Sequence, residues 1–141
     1  MPLLRVDPRP VARLPATGPL ATEHEEQCAV IDWARWHERL EPRLALLHAI
    51  PNAGAGAQKG QAGKMKAEGV KPGVPDLCLP APTADWFGLY IELKRRKGGR
   101  VRPDQRWWID ALRSNQYAVH VCAGADEAIR VLKDYLQMGR A

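Results

Sequence analysis

Two carboxylates and a lysine stand in a stretch that is otherwise apolar, and they mark where this chain could do chemistry. Asp76 follows a proline in GVPDL at 73–77, and Glu92 and Lys94 lie two apart in YIELKRRKG at 90–98. Charges among apolar neighbours are costly to desolvate unless a metal or a reaction offsets the cost. Carboxylate oxygens from Asp76 and Glu92, with the main-chain carbonyl of Leu93 between Glu92 and Lys94, are hard ligands of the kind Mg²⁺ or Mn²⁺ prefers. An ion held there can polarise a phosphoryl oxygen and lower the pKa of a water, which is the work of phosphodiester hydrolysis. Lys94 could orient or deprotonate that water and stabilise charge developing on phosphate. No serine or cysteine has a histidine placed by a recognisable motif, so covalent catalysis is not indicated. His24, His37, His48 and His120 are scattered and read as structural.

These groups must be brought together by the elements around them. Trp86 to Lys94 reads as a strand with Leu89, Ile91 and Leu93 on one side and Tyr90, Glu92 and Lys94 on the other. Residues two apart on a strand share a face at about 7 Å between Cα atoms. Val74 to Leu79 reads as a shorter strand, joined through a Pro-rich turn at 80–85, and antiparallel pairing would bring Asp76 beside the other two. Upstream, Thr22 and Glu25 have the spacing of a capping box, and Glu23, Glu25 and Glu26 fill the first turn. That predicts a helix of some 16 to 18 residues ending before Pro42, with Val30, Ile31, Ala34 and Trp33 inward. Glu23 is expected to project inward at four-residue spacing, with Glu26 on the flank. Either could hold a water of the ion from the side, or both could simply cap the helix.

Arg43 to Ile50 reads as a first strand, and Gln61 to Glu68 as a short polar helix after a glycine-rich stretch. Pro103 opens a helix with Gln105, Trp108, Ile109 and Leu112 along its inner stripe. Gln105 is the polar member of that stripe and needs a partner. A strand at 117–122 and a helix at 124–136 complete an α/β order.

Composition narrows the partner. The chain of 141 residues is one domain's worth, with a net charge of +5 and a pI near 9.4. Seven basic residues (Lys94, Arg95, Arg96, Lys97, Arg100, Arg102, Arg106) face one acid, Asp104, between 94 and 106. Such a run alone is commonly a solvated loop, but this one begins at the candidate site, which favours nucleic acid. Lys59, Lys64 and Lys66 supply a second basic stretch suited to gripping DNA or to facing solvent. Residues 1–21 form a Pro/Arg-rich arm expected to be mobile, ahead of a domain at 22–141. Cys28, Cys78 and Cys122 are far apart with apolar neighbours, as buried thiols in a reducing compartment would be. No run approaches a membrane span and no signal peptide is visible, so a cytoplasmic location without membrane association is expected.

Together, GVPDL at 73–77, YIELKRRKG at 90–98 and RPDQRWWIDAL at 102–112 resemble the VRR-NUC family, a branch of the PD-(D/E)XK nucleases. The likeness covers roughly residues 22–136 and is greatest to the stand-alone phage and bacterial forms, which carry similar TEHEEQ and KAEGVKPGVPDL segments. The resemblance implies a restriction-endonuclease-like αβββαβ core, a mixed sheet flanked by helices. It also implies metal-dependent cleavage of branched, flapped or Holliday-junction DNA, in a bacterial cell or phage-infected host. By motif it makes Asp76 and Glu92 metal ligands, Lys94 the catalytic lysine, Gln105 the glutamine of the following helix, and Glu23 or Glu26 the first-helix acid. It implies a homodimer acting on DNA rather than on a small molecule. A DNA-binding module that does not cut, or a subunit active only beside a partner protein, are the alternatives.

Overall fold

The computed structural model describes residues 20–52 and 60–139. Helix α1 (Glu23–His37) starts where the capping box places it. Thr22 Oγ1 accepts the Glu25 N–H at 3.2 Å, and the Glu25 carboxylate accepts the Thr22 N–H at 2.8 Å. The helix has 15 residues, slightly fewer than expected, because the N–H groups of Leu40 and Glu41 both turn back to the His37 carbonyl.

The first strand is much shorter than the sequence suggests. Pro42 fixes a helical φ and the Glu41 carboxylate accepts three N–H bonds from Arg43, so Pro42–Leu46 folds as a 3₁₀ helix. Only His48–Ala49 remains as β1. The short polar helix forms as α2 (Gln61–Ala67). β2 (Leu77–Leu79) and β3 (Leu89–Lys94) are trimmed at their N-terminal ends. Pro75 has no N–H to give a ladder, and Thr83 Oγ1 holds the N–H groups of Asp85 and Trp86 in the turn. Then follow α3 (Pro103–Ser114), β4 (Ala118–Ala123) and α4 (Ala125–Tyr135).

The four strands form one mixed sheet in the order β1-β2-β3-β4, antiparallel except for the parallel pair β3–β4. Alternation along β3 separates two environments. Leu89, Ile91 and Leu93 join Val30, Trp33, Ala34, Ala128, Ile129 and Leu132 in the core under α1 and α4. Burial of each large aliphatic side chain is worth about 2 kcal/mol. Glu92 and Lys94 point to the opposite face, where α3 covers them through Gln105.

One glycine sets how closely the Asp76 segment approaches α3. Gly73 has a φ of +86°, and a Cβ there would lie 2.8 Å from the main-chain carbon of Asp104. Only glycine tolerates both the backbone region and the contact. The segment before Asp76 is thereby pressed against the first turn of the helix that carries Gln105.

Candidate active site

β2, β3 and α3 converge on one polar cluster inside otherwise apolar surroundings. Asp76 stands one residue before β2, and its Oδ2 accepts the Leu93 N–H of β3 at 2.7 Å. The Leu93 N–H thus faces Asp76, and in a strand the Leu93 carbonyl lies on the same side as its N–H. Glu92 and Lys94 do share a face, with Lys94 Nζ 2.9 Å from Glu92 Oε1. Gln105 joins them. Its Nε2 donates to Glu92 Oε1 at 2.6 Å, while its Oε1 accepts from Lys94 Nζ at 2.9 Å and from the Arg102 N–H at 3.0 Å. The polar residue on the α3 stripe thus has a partner at both ends of its amide. Glu92, Lys94 and Gln105 are all buried.

One atom in this cluster is left over. Glu92 Oε2 is buried and has no hydrogen-bond partner. A lone buried acceptor of this kind carries a desolvation cost of about 1–3 kcal/mol, more when charged. Burial is the main reason the Glu92 carboxyl is pushed up to about 7, with the charge of Asp76 second and the Lys94 ammonium opposing both. Burial likewise raises Asp76, against the Leu93 N–H and Lys94. Two desolvated carboxylates that repel one another, one with an unpartnered oxygen, are what a hard divalent cation would relieve. No cluster of three or more Asp, Glu, His or Cys side chains suited to a metal occurs among the described residues. Asp76 and Glu92 are thus the two side-chain carboxylates that this cluster could offer a hard ion.

The two first-helix acids separate clearly. Contrary to the inward position expected for it, Glu23 is exposed. Its charge nevertheless acts on Asp76, Glu92 and Arg102, which puts it at the rim of the cluster. Glu26, expected on the flank, is the fully buried one, and it faces elsewhere. Its Oε1 accepts from Arg96 Nε at 2.8 Å and its Oε2 from the Ala125 N–H at 2.6 Å, capping the N-terminus of α4. Glu26→Gln is accordingly expected to lower unfolding free energy by about 2 kcal/mol, since it removes a charge from two hydrogen bonds. Urea denaturation measures this, and no loss would mean that the clamp contributes nothing.

The basic residues also divide. Arg96 is tied to Glu26 and, at 3.8 Å, to Asp126. Arg102 pairs with Asp104 at 3.2 Å and lies within electrostatic reach of Glu92 and Glu23. Arg95, Lys97, Arg100, Lys64 and Lys66 are exposed. Lys59 and nearly all of the 1–21 arm fall outside the described residues. Of the thiols expected to be buried, Cys78 and Cys122 are, but Cys28 is exposed with its Sγ 3.6 Å from His24 Nε2. The buried helix cap made by Glu26 had no sequence signal, because its partners lie 70 and 99 residues away. No described helix is long and apolar enough to cross a membrane.

Two known sets of proteins are similar to this chain. The family model for the VRR-NUC domain matches residues 17–126. A solved structure described as a VRR_NUC domain protein is 30% identical, with a TM-score of 0.70, over 85% of this chain and 92% of that one. No curated protein matches.

Proposed function

Because the chain belongs to the VRR-NUC family of PD-(D/E)XK nucleases, we propose that it is a Mg²⁺- or Mn²⁺-dependent DNA endonuclease acting on branched, flapped or Holliday-junction DNA. The observation that carries the proposal is the unpartnered, buried Glu92 Oε2 beside Asp76. Asp76 and Glu92, with the main-chain carbonyl of Leu93, would hold the ion, which when bound supplies the charge that polarises a phosphoryl oxygen and acidifies a water.

The side chains of the chain itself do the rest. Lys94 Nζ has three N–H directions, and two are engaged by Glu92 Oε1 and Gln105 Oε1. The third is available to a phosphate oxygen or to the attacking water. Gln105 fixes both Lys94 and Glu92 and so acts as a positioning residue. Gln105→Ala is expected to cut kcat by about 10- to 100-fold while leaving DNA affinity within about twofold, as loss of a supporting hydrogen bond does. Single-turnover cleavage and binding assays read the two effects separately. Glu23, exposed at the rim, would hold a water from the solvent side. Arg102, Arg100, Lys97, Arg95, Lys64 and Lys66 would meet phosphates, giving binding that weakens steeply with salt.

The test incubates pure protein with labelled linear, flapped and four-way DNA, in Mg²⁺ and in EDTA. Cleavage of branched over linear DNA that is lost in EDTA is expected. Cleavage that survives EDTA would overturn the assignment. DNA binding with no cleavage in Mg²⁺ or Mn²⁺ would point to a non-cutting module, and activity appearing only in lysate to a partner-dependent subunit. A homodimer is part of the proposal, and sedimentation equilibrium should return twice the 15.7 kDa of one chain.

A further inference from the structure

We infer that Trp107 is a stacking platform for an unpaired base of the DNA strand that leaves the active site along α3. The proposal rests on the nuclease reading, and it names the feature of the substrate that this chain would grip. Trp107 is 65% exposed, on a helix that buries Gln105 and Ile109 on its other side. It is also braced. The neighbouring Trp108 donates its indole N–H to the Pro72 carbonyl at 3.1 Å, and the two rings meet edge to face, 5.5 Å apart at 87°. A ring held in this way loses little freedom when a base stacks on it, and stacking tolerates any base.

Its surroundings suit a polyanion. Arg106 precedes it and is exposed, as are Arg100, Arg102 and Lys71, the residue next to the Pro72 that anchors Trp108. The acids on this helix are Asp104, which Arg102 neutralises, and Asp110, one turn farther along. Gln105, two residues before Trp107, reaches into the candidate active site from the other side of α3. Passing round the helix, whose diameter with side chains is about 10–12 Å, takes a path of about 17 Å, or about five nucleotides of a stacked strand at 3.4 Å each. A base that far from the scissile phosphate can lie flat on an indole only if it is unpaired. A junction, flap or single-stranded end would meet this condition, and continuous duplex would not.

The test uses the full chain carrying Asp76→Asn, so that binding is read without cleavage. Affinity for a fluorescein-labelled single-stranded 20-mer and for the blunt duplex of the same sequence is measured by anisotropy, with and without Trp107→Ala. The single-strand affinity should fall about tenfold and the duplex affinity less than twofold, with Trp107→Tyr restoring most of the loss. Circular dichroism of the alanine variant should match the parent, as expected at an exposed position. Equal effects on both DNAs, or none on either, would overturn the stacking role and leave the nuclease reading intact. Failure of the parent to bind any DNA would overturn both.

Discussion

Asp76→Asn is expected to lower Mg²⁺-dependent cleavage about a thousandfold while leaving the protein folded and no less stable. The two parts of this result have one cause. Asp76 and Glu92 are carboxylates that burial holds in an unfavourable state, Glu92 being raised further by the charge of Asp76, so neutralising Asp76 relieves the apo fold. An asparagine oxygen can still accept the Leu93 N–H that fixes this residue at the end of β2. What would be lost is one of the two anionic ligands proposed for the ion, and with it the charge stabilisation that metal-assisted hydrolysis depends on. Activity assays paired with thermal melts in EDTA would show it. A variant that cleaves normally, or one that simply unfolds, would contradict this division between function and stability.

The second large effect is on stability against pH. Glu92 is raised from 4.5 to about 7 in the fold. A carboxylate raised on folding favours the native state when protonated. Its contribution is fully present below pH 4.5 and is lost as pH rises through about 7. The gap corresponds to about 3 kcal/mol as an order of magnitude. Asp76, also raised, acts in the same direction. In EDTA, urea denaturation should therefore show a less stable protein at pH 8 than at pH 5. Glu92→Gln should flatten most of that difference, isolating it from groups such as His120, whose lowered pKa works in the opposite sense. At pH 8, Mg²⁺ or Mn²⁺ should restore stability to the parent and not to the glutamine variant. Equal parent stability at both pH values would show that Glu92 is not desolvated as described.

Much of the site could be read from residue spacing, because strand and helix periods are local. Two-residue spacing put Glu92 and Lys94 on one face, and a polar residue on the inner stripe of α3 marked Gln105 as needing partners. The capping box placed the start of α1 for the same reason. What stayed hidden depended on long-range partners or on short-range competition. Glu23 and Glu26, three apart, fit the first-helix acid equally well by periodicity. Arg96 and the start of α4, brought near only by the complete fold, draw Glu26 inward and leave Glu23 at the rim. Arg43 to Ile50 has the apolar content of a strand, but Pro42 and the Glu41–Arg43 bonds turn its first half into a 3₁₀ helix.

The most direct measurement is a crystal structure grown or soaked with Mn²⁺, with anomalous data to locate the ion. Anomalous density between the Asp76 carboxylate and Glu92 Oε2, absent from Asp76→Asn crystals treated in the same way, is expected. A fully occupied Mn²⁺ elsewhere on the chain, with Glu92 Oε2 still unpartnered, would contradict the assignment of this cluster as a metal-dependent active site.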